Sequence, residues 1–393
     1  MIALMGSVPD LRSIPAAVPV AAVLPHAWVV GGAVRDLLLR RPAAVDLDVV
    51  IEGDALAAAQ RLAEALGGSL VVHEAFGTAS VEAGGHVYDL ATARAESYAR
   101  PGALPDVRPG TVEEDLVRRD FTVNAIAVSF DGRVLAAPHA FEDLDARILR
   151  VLHERSFRDD PTRLLRLVRY ATRLGFAVEP GTAELAAEAV AAGALATVTP
   201  ARIGGELRLL LREPAAVDAL GCAAVWPLGV PLVVDRALDE RALALLPADG
   251  REDLLLLGSA CRTVEPAALA AWLDALEFCA RERDVVVRVA QADGIKRDLS
   301  AASRPSEIAA AARGVPVEAV ALAGALGAEA QARAWLEELR HVRLDIGGAD
   351  LLTAGVPEGP ALGRGLAAAL DARLDGAAPD RDAQLAVALA AAR

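Results

Sequence analysis

The 393-residue sequence is poor in cysteine, in aromatic residues and in net positive charge. Its three cysteines, Cys222, Cys261 and Cys279, form no CxxC pair or zinc-ligand spacing, which predicts free thiols in a reducing compartment. Aromatic residues make up 4% against 54% hydrophobic residues, so the cores must consist of Ala, Leu and Val, which favours packed helices. The net charge of −14 excludes a generally basic nucleic-acid binder, so any RNA contact requires a local basic face.

Targeting signals and membrane spans are also missing from the sequence pattern. No basic residue precedes Arg12, and Pro15, Pro19 and Pro25 interrupt the apolar N-terminal stretch. We therefore expect a cytoplasmic protein with no membrane partner. No fixed-period repeat is evident, and no histidine is followed by aspartate, which argues against an appended HD-type phosphohydrolase domain.

Residues 28–51, WVVGGAVRDLLLRRPAAVDLDVVI, form the stretch around which the chain is organised. The pattern predicts a strand, a turn at Gly31-Gly32, a short helix and a second strand. Glycine lets backbone N–H groups approach a ligand closely, and the N-terminus of the following helix favours an anion. Gly32 and Arg35 are therefore candidate phosphate contacts, since a guanidinium fork matches phosphate geometry.

Two aspartates follow on the second strand of this stretch. Asp46 and Asp48 flank Leu47, so both carboxylates point to one face of the strand. Such a pair repels unless a cation lies between the two groups, and oxygen-only ligands suit Mg²⁺. A phosphate cradle beside a Mg²⁺ site is typical of nucleotide chemistry. The sequence leaves open whether Asp89, on a later strand, is a third carboxylate of this site or pairs with Arg94.

The surrounding pattern of alternating helices and strands predicts a small mixed α/β domain. Asp54 is a candidate N-cap of a helix that Gly67-Gly68 closes, and Gly84-Gly85 has the character of a hairpin turn. Residues 96–111 contain three prolines and little periodicity, which predicts a mobile loop.

An arginine pair and an arginine-rich stretch follow. Arg118 and Arg119 are adjacent, so on a helix one can enter a site while the other pairs with a nearby acid or meets solvent. In residues 147–176, RILRVLHERSFRDDPTRLLRLVRYATRLGF, the segment Asp159-Asp160-Pro161 predicts a helix start. Arginines then recur at every third position, 163, 166 and 169, which predicts an arginine ridge opposite an apolar face. Beyond about Gly175, Ala/Leu-rich helices are predicted.

Over residues 29–176 the chain resembles the class II tRNA nucleotidyltransferases and their bacterial poly(A) polymerase relatives. The motifs that carry the resemblance are GGAVRD with DLD, RRDFTVNA and FRDDPTRLLRLVRYATRLGF. The stretch IGGADLLTAGVPEGPALG resembles the tail of that family. The resemblance implies an α/β nucleotidyltransferase head, a mixed sheet with flanking helices, followed by an all-α neck, body and tail. We assign the head to residues 1–150, the neck to 151–215, the body to 216–323 and a tRNA-contacting tail to 324–393.

The resemblance also implies a reaction, in which C, C and A are added to the tRNA 3′ end without a nucleic-acid template. The implied partners are the tRNA 3′ end and the substrates CTP and ATP, with Mg²⁺ as cofactor and without DNA. By the motif positions they match, Asp46 and Asp48 are implied to bind the metal and to be catalytic. The residues implied to bind the nucleotide are Gly32, Arg35, Arg119, Asp160, Arg163, Arg166 and Arg169.

Base selection is implied to depend on Asp160 and Arg163. C and A carry an exocyclic amine where U and G carry a carbonyl, so Asp160 can accept from the amine while Arg163 donates to the adjacent ring nitrogen. Many family members have Glu-Asp where this chain has Asp159-Asp160, which leaves the choice between C and A open.

Several alternatives remain at this point. An enzyme that adds only A or only CC, or a poly(A) polymerase, is an alternative of the same class, and a non-catalytic RNA-binding relative is one of another class. The full-length segment 96–111 weighs against a CC-only enzyme. The absence of a long basic C-terminal extension weighs against a poly(A) polymerase.

Overall fold

The computed structural model describes residues 9–42, 46–73 and 77–393, and the chain divides into two units, Met1–Thr199 and Pro200–Arg393. The strands are β1 Trp28–Val30, β2 Asp46–Ile51, β3 Ser69–His73, β4 Thr78–Ala83, β5 His86–Thr92, β6 Arg94–Ser97, β7 Asp106–Pro109, β8 Ile126–Ser129, β9 Val134–Ala136, β10 Ile148–Leu149 and β11 Ala177–Val178. The helices of the first unit are α1 Ala17–Val23, α2 Gly32–Leu38, α3 Ala55–Leu66, α4 Val112–Val117, α5 Ala140–Ala146, α6 Ser156–Asp159, α7 Thr162–Leu174 and α8 Pro180–Ala191.

A seven-stranded mixed sheet forms the centre of the first unit, in the order β3-β4-β5-β2-β1-β8-β9. Strands β2 and β5 are parallel, while the other neighbours in this sheet are antiparallel. The β2–β5 register sets Asp48 opposite Asp89, so these two side chains lie side by side on one face. The predicted α/β head with flanking helices is confirmed.

Strand β2 is buried on one face along its length and open on the other face only at its start. Leu47 and Val49 are buried on the first face, as their alternation with polar residues predicts. On the other face, Val50 joins a core cluster with Val112 and Leu116 of α4. Because α4 covers only the Val50 end, the two aspartates at the start of β2 remain exposed on that same face.

The local predictions around α3 and the next turn agree with the structure. The Asp54 carboxylate accepts a hydrogen bond from the Ala57 N–H at the start of α3, and Gly67 ends the helix with φ +62°. Gly84 and Gly85 form the turn between β4 and β5, both with positive φ. Strand β3 covers Ser69–His73, and residues 74–76 lie outside the described residues.

The loop predicted at residues 96–111 is confined to residues 98–105, which connect two strands, and its mobility stays a prediction. Strands β6 and β7 pair there as an antiparallel hairpin. The tip of the hairpin is held by the Gly102 N–H, which donates to the Arg158 carbonyl at 3.2 Å. A Cβ at Gly102 would lie 2.3 Å from Thr197 Oγ1, so only glycine fits this approach. Proline content did not reveal the two strands, because part of what holds this segment is a contact with Arg158, which is distant in sequence.

Two details of the arginine-rich stretch also differ from the prediction. Asp159 ends the short helix α6 and pairs with Arg155, whereas Asp160 is extended and Pro161 is the N-cap of α7. The arginines do not form an open ridge, since Arg163 and Arg169 are 5% and 7% exposed. Helix α7 is therefore buried on its charged side as well as on its leucine side.

The second unit is built from helices in the part of the chain that the structure describes, as predicted. They are α9 Pro200–Leu211, α10 Ala216–Ala223, α11 Arg236–Leu245, α12 Glu252–Ala260, α13 Pro266–Ala275, α14 Ala280–Ala290, α15 Ala292–Ala301, α16 Pro305–Ala312, α17 Val317–Ala323, α18 Glu329–Glu337, α19 Gly348–Thr353, α20 Pro360–Leu374 and α21 Arg381–Ala392. The last three helices share a small core of Ile346, Leu351, Ala369 and Ala388. The finer division into neck, body and tail stays a prediction.

No single helix among the described residues is long and apolar enough to cross a membrane. One pair, Pro305–Ala312 with Val317–His341, meets the length and composition criteria only when both members are counted together, and it is bent by 120°.

Candidate active site

The start of α2 brings an aspartate and an arginine to one point of the backbone. Gly31 has φ +69°, and a Cβ there would lie 3.1 Å from Asp48 Oδ2 and 3.2 Å from Arg119 Nη1. The positive φ favours glycine at position 31, and a Cβ there would displace the ends of both side chains. The glycine pair in the sequence signalled the turn, but sequence analysis singled out Gly32 and missed the role of Gly31. Gly32 is the first residue of α2.

The acid pair forms a concentrated negative site. Desolvation by the surrounding protein raises the pKa of Asp48, and Asp89 and Asp46 raise it further, while Arg119 and Arg166 oppose the shift. Asp89 is in turn hydrogen-bonded by the Ser80 hydroxyl. A carboxylate at the open start of β2 whose pKa is raised by desolvation and by two neighbouring carboxylates is in an environment that a divalent cation relieves.

The donor set fits a metal that takes part of its coordination from a ligand. Within residues 9–42, 46–73 and 77–393, no group of three or more His, Cys, Asp or Glu side chains is placed to hold a metal ion. Asp46 and Asp48 offer two carboxylates on one face, which leaves the other positions to phosphate oxygens and water. Mg²⁺ is commonly bound in this way, by one or two carboxylates together with substrate phosphates.

The adjacent arginines both pair with the buried Asp115. Arg118 donates to Asp115 Oδ1 at 2.6 Å and to Glu96 at 3.1 Å, and Arg119 donates to Asp115 Oδ2 at 2.9 Å. The Nε of Arg119 is buried and has no hydrogen-bond partner among the described residues. A buried N–H group without a hydrogen-bond partner costs free energy, because it has lost its contact with water. The Arg119 Nε–H is therefore suited to donate to an anionic ligand.

Arg35 has partners within the protein. Its side chain is 2% exposed, and it donates to both carboxylate oxygens of Asp36 and, at 2.7 Å, to Asn124 Oδ1. The guanidinium therefore joins α2 to the turn Thr122–Asn124. Its contact with a phosphate stays a prediction, to which the structure adds this linking role.

Asp120 connects that turn to α7. Its Oδ1 accepts from Asn124 Nδ2 at 3.0 Å, and its Oδ2 accepts from Arg166 Nε and Nη2 at 2.9 and 2.6 Å. Burial would raise the pKa of Asp120, but the Arg166 charge and the hydrogen bonds from Asn124, Arg166 and the Phe121 N–H outweigh it and hold the pKa at about 2. Sequence analysis missed Asp120 and Asn124, although both lie in the RRDFTVNA motif.

Asp120→Asn is expected to weaken the acid sensitivity of the fold. Because the folded-state pKa of Asp120 is depressed to about 2, its stabilisation is present above the unfolded pKa of about 4 and is lost as the pH falls toward 2. The shift corresponds to about 2–3 kcal/mol. Urea unfolding of both proteins between pH 5 and pH 2 checks this, and an unchanged pH dependence in the variant would contradict it.

The predicted base-reading pair is held by three parts of the first unit: the start of α7 holds Asp160, and α6 and the arginine pair hold Arg163. Asp160 Oδ1 accepts from the Thr162 N–H and hydroxyl at 3.1 and 2.6 Å, which fixes the carboxylate. Arg163 donates to Ser156 Oγ and to the carbonyl of Arg118, both at 2.6 Å. Sequence analysis missed Ser156, for which no motif gave a signal.

The hairpin β6–β7 also approaches this pair. The Tyr98 hydroxyl donates to Glu96 Oε2 at 2.9 Å. Desolvation and Glu96 raise the pKa of Tyr98, and Arg163 and Asp160 are close enough to contribute to it electrostatically. The segment predicted as a loop therefore borders the base-reading pair.

A continuous set of contacts thus joins the two groups of residues that the sequence singled out. Arg163 contacts the residue before Arg119, Arg119 and Asp48 both approach Gly31, and the charge of Arg166 opposes the rise in the pKa of Asp48. The predicted residues that these interactions link are Asp48, Arg119, Arg163 and Arg166, with Asp46 beside Asp48 on β2 and Asp160 at the start of α7. Gly32 and Arg35 lie on α2, and Arg169 lies on α7. Their individual roles stay predictions.

Comparison with known proteins shows which families and structures this chain is similar to. Residues 27–150 match the family model described as the Poly A polymerase head domain. An A-adding tRNA nucleotidyltransferase of Halalkalibacterium halodurans is 46% identical over 199 residues, 49% of this chain and 46% of that protein. The chain likewise covers only 24% and 44% of the A-adding enzymes of Aquifex aeolicus and Geobacter sulfurreducens.

Other proteins match over most of their length. In solved structures, a CCA-adding enzyme in an apo form has a TM-score of 0.78 at 27% identity, with 97% of this chain and 96% of that chain covered. The Thermotoga maritima CCA-adding enzyme complexed with tRNA has a TM-score of 0.73 at 28% identity, with 95% and 93% covered. A CC-adding tRNA nucleotidyltransferase of Deinococcus radiodurans is 34% identical over 90% of this chain and 86% of that protein. With this match and with the motifs joined in one site, the chain belongs to the tRNA nucleotidyltransferase family.

Proposed function

We propose that this protein adds C, C and A to the 3′ end of tRNA, using CTP and ATP and no nucleic-acid template. The observation that carries the proposal is the hydrogen bond from Arg163 to the Arg118 carbonyl, beside Arg119. This bond places Arg163 against the arginine pair, and Arg119 of that pair approaches Gly31 together with Asp48, which supports one site for both groups. The names of the relatives support nucleotide addition to tRNA, and the solved neighbours include complexes with tRNA and with CTP.

Each group of residues has a part in this reaction. Asp46 and Asp48 would hold Mg²⁺, which stabilises charge on the entering and leaving oxygens of the α-phosphate. Arg119, with its orphaned Nε, donates to the triphosphate. Asp160 and Arg163 test the base edge, and their orientation is set by Thr162 and Ser156 before the nucleotide arrives. Fixed donors and acceptors penalise U and G because a mismatched edge leaves buried polar groups unpaired.

The A-adding alternative has its own support, since an A-adding enzyme gives the 46% match over 199 residues. A site with a hydrogen-bond acceptor for an exocyclic amine fits the full CCA reaction as well as the addition of A alone, because both C and A carry such an amine. The cytoplasmic location and the absence of DNA among the partners stay predictions.

Incubation with defined tRNA ends separates these functions. With Mg²⁺ and single labelled nucleotides, we expect C to be added to tRNA that lacks its last three nucleotides, A to be added to tRNA ending in CC, and neither UTP nor GTP to be used. Addition of A alone, with no C, would establish the A-adding alternative, and a long A tail would indicate a poly(A) polymerase. No incorporation into any of the tRNAs would leave a non-catalytic RNA-binding protein.

A further inference from the structure

One aromatic ring lies among three arginines of the candidate site. The guanidinium carbons of Arg35, Arg166 and Arg169 lie 5.6, 5.8 and 4.9 Å from the centre of the Tyr170 ring. All three distances are within the range in which a cation is attracted to the face of an aromatic ring. Neither the sequence motifs nor the site chemistry described above gives Tyr170 a role.

The orientation of this ring is fixed by its neighbours. Phe121, which is fully buried, meets the Tyr170 ring edge-on at 5.9 Å with an angle of 82° between the ring planes. Such a T-shaped contact is a favoured geometry for aromatic pairs. The ring therefore forms a rigid surface against which flexible arginine side chains can be held.

The arginines need such a surface because they carry like charges. Hydrogen bonds anchor Arg35 to Asn124 and Asp36, and Arg166 to Asp120. The ring face supplies attraction to all three cations without adding a negative charge that would compete with a phosphate. Desolvation, followed by the Asp120 charge, raises the pKa of Tyr170, so the hydroxyl is neutral at physiological pH.

We propose that Tyr170 is a positioning residue for nucleotide binding, whose ring holds Arg35, Arg166 and Arg169 as one preorganised cationic cluster for the phosphates of the nucleotide. The proposal rests on the function proposed above. It predicts that the ring face matters and the hydroxyl does not. It also predicts that nucleotide affinity depends on Tyr170 more than the rate of the chemical step does.

The test compares Tyr170→Phe with Tyr170→Leu in the full chain. Tyr170→Phe keeps the ring, and we expect the Kd for ATP and for inorganic triphosphate to stay within about twofold of the original protein. Tyr170→Leu removes three cation–ring contacts, and we expect Kd and nucleotide KM to rise about tenfold to 100-fold. We expect kcat at saturating nucleotide to change less than about threefold in both variants, since the acid pair is untouched.

A buried tyrosine outside the cluster provides the matched control. Tyr88 is 1% exposed and lies on β5, on the face opposite that of Asp89. Tyr88→Leu is expected to lower thermal stability while leaving nucleotide KM unchanged, measured at a temperature where it is folded. Equal rises in KM for Tyr88→Leu and Tyr170→Leu would overturn the proposal, because general loosening of the fold would then account for both. Equal losses in Tyr170→Phe and Tyr170→Leu would overturn it as well.

A graded change of the ring decides the matter if Tyr170→Leu does not fold. Phenylalanine with one, two or three ring fluorines at position 170 keeps the shape while withdrawing electron density from the face. A stepwise rise of the ATP Kd with each fluorine is expected, and a flat series would refute the positioning role. If the unchanged protein transfers no nucleotide to tRNA, the proposed function fails. If it transfers normally and the series is flat, only the role of Tyr170 fails.

Discussion

Replacing Asp46 or Asp48 by alanine is expected to lower nucleotide transfer by about 10³-fold or more, because the proposed metal site loses one of its two proposed carboxylates. The fold should persist, since both side chains are exposed on the sheet face. Asp48→Ala should also keep or raise the melting temperature. The pKa of Asp48 is raised in the folded state, so its ionised form opposes folding at neutral pH, and the variant removes that effect.

The measurements are single-turnover transfer to tRNA and thermal unfolding with and without Mg²⁺ and CTP. We expect Mg²⁺ with CTP to stabilise the original protein and to stabilise neither variant, which tests metal binding independently of activity. Glu64→Ala, which removes an exposed acid of α3, is the matched control and should behave as the original protein does. Near-normal turnover in Asp46→Ala or Asp48→Ala would refute the metal assignment.

Asp160→Ala is expected to relax the choice of nucleotide. Loss of the acceptor that we propose for the exocyclic amine removes roughly 1–3 kcal/mol of discrimination, about 5-fold to 160-fold in the ratio of kcat/KM for CTP or ATP over UTP or GTP. Arg163 stays in place in this variant because Ser156 and the Arg118 carbonyl hold it. The check is kcat/KM for each of the four nucleotides on tRNA with a defined end.

Removing Asp160 also removes a hydrogen-bond acceptor at the start of α7, so a control for lost helix capping is needed. Asp54→Ala supplies it, because Asp54 accepts from a backbone N–H at the start of α3 and lies outside the site. This variant should lose about 1 kcal/mol of stability while its nucleotide selection is unchanged. Unchanged selectivity in Asp160→Ala would refute the reading role of that residue.

Local pattern predicted much of the first unit because local physics decides it. Alternation of polar and apolar residues in DLDVVI put Asp46 and Asp48 on one face of a strand, as the structure has them. The Asp54 cap and the Gly67 helix end depend only on backbone groups a few residues away. The arginine ridge was predicted only in part. The spacing of Arg163, Arg166 and Arg169 shows that they share one side of α7, but it does not show whether that side is exposed or buried.

Contacts between distant segments were beyond local pattern. Residues 96–111 form a hairpin because its strands pair and its tip meets Arg158, neither of which composition reveals. Asp120 stood in a recognised motif, but its link to Arg166, 46 residues later, depends on how α7 packs. The contacts of the Tyr170 ring were likewise beyond local pattern, since the arginines around it come from two helices, α2 and α7.

The sequence by itself determined the chemistry available to this protein: paired carboxylates, a glycine turn and a series of arginines, each set by the period of its own strand or helix. Only the tertiary structure decided which of these groups meet. It brought Asp48 and Arg119 to the same glycine and bound Arg163 to the carbonyl of Arg118. The reason is physical: side-chain direction follows from local backbone geometry, whereas proximity between segments follows from how their apolar faces are buried together.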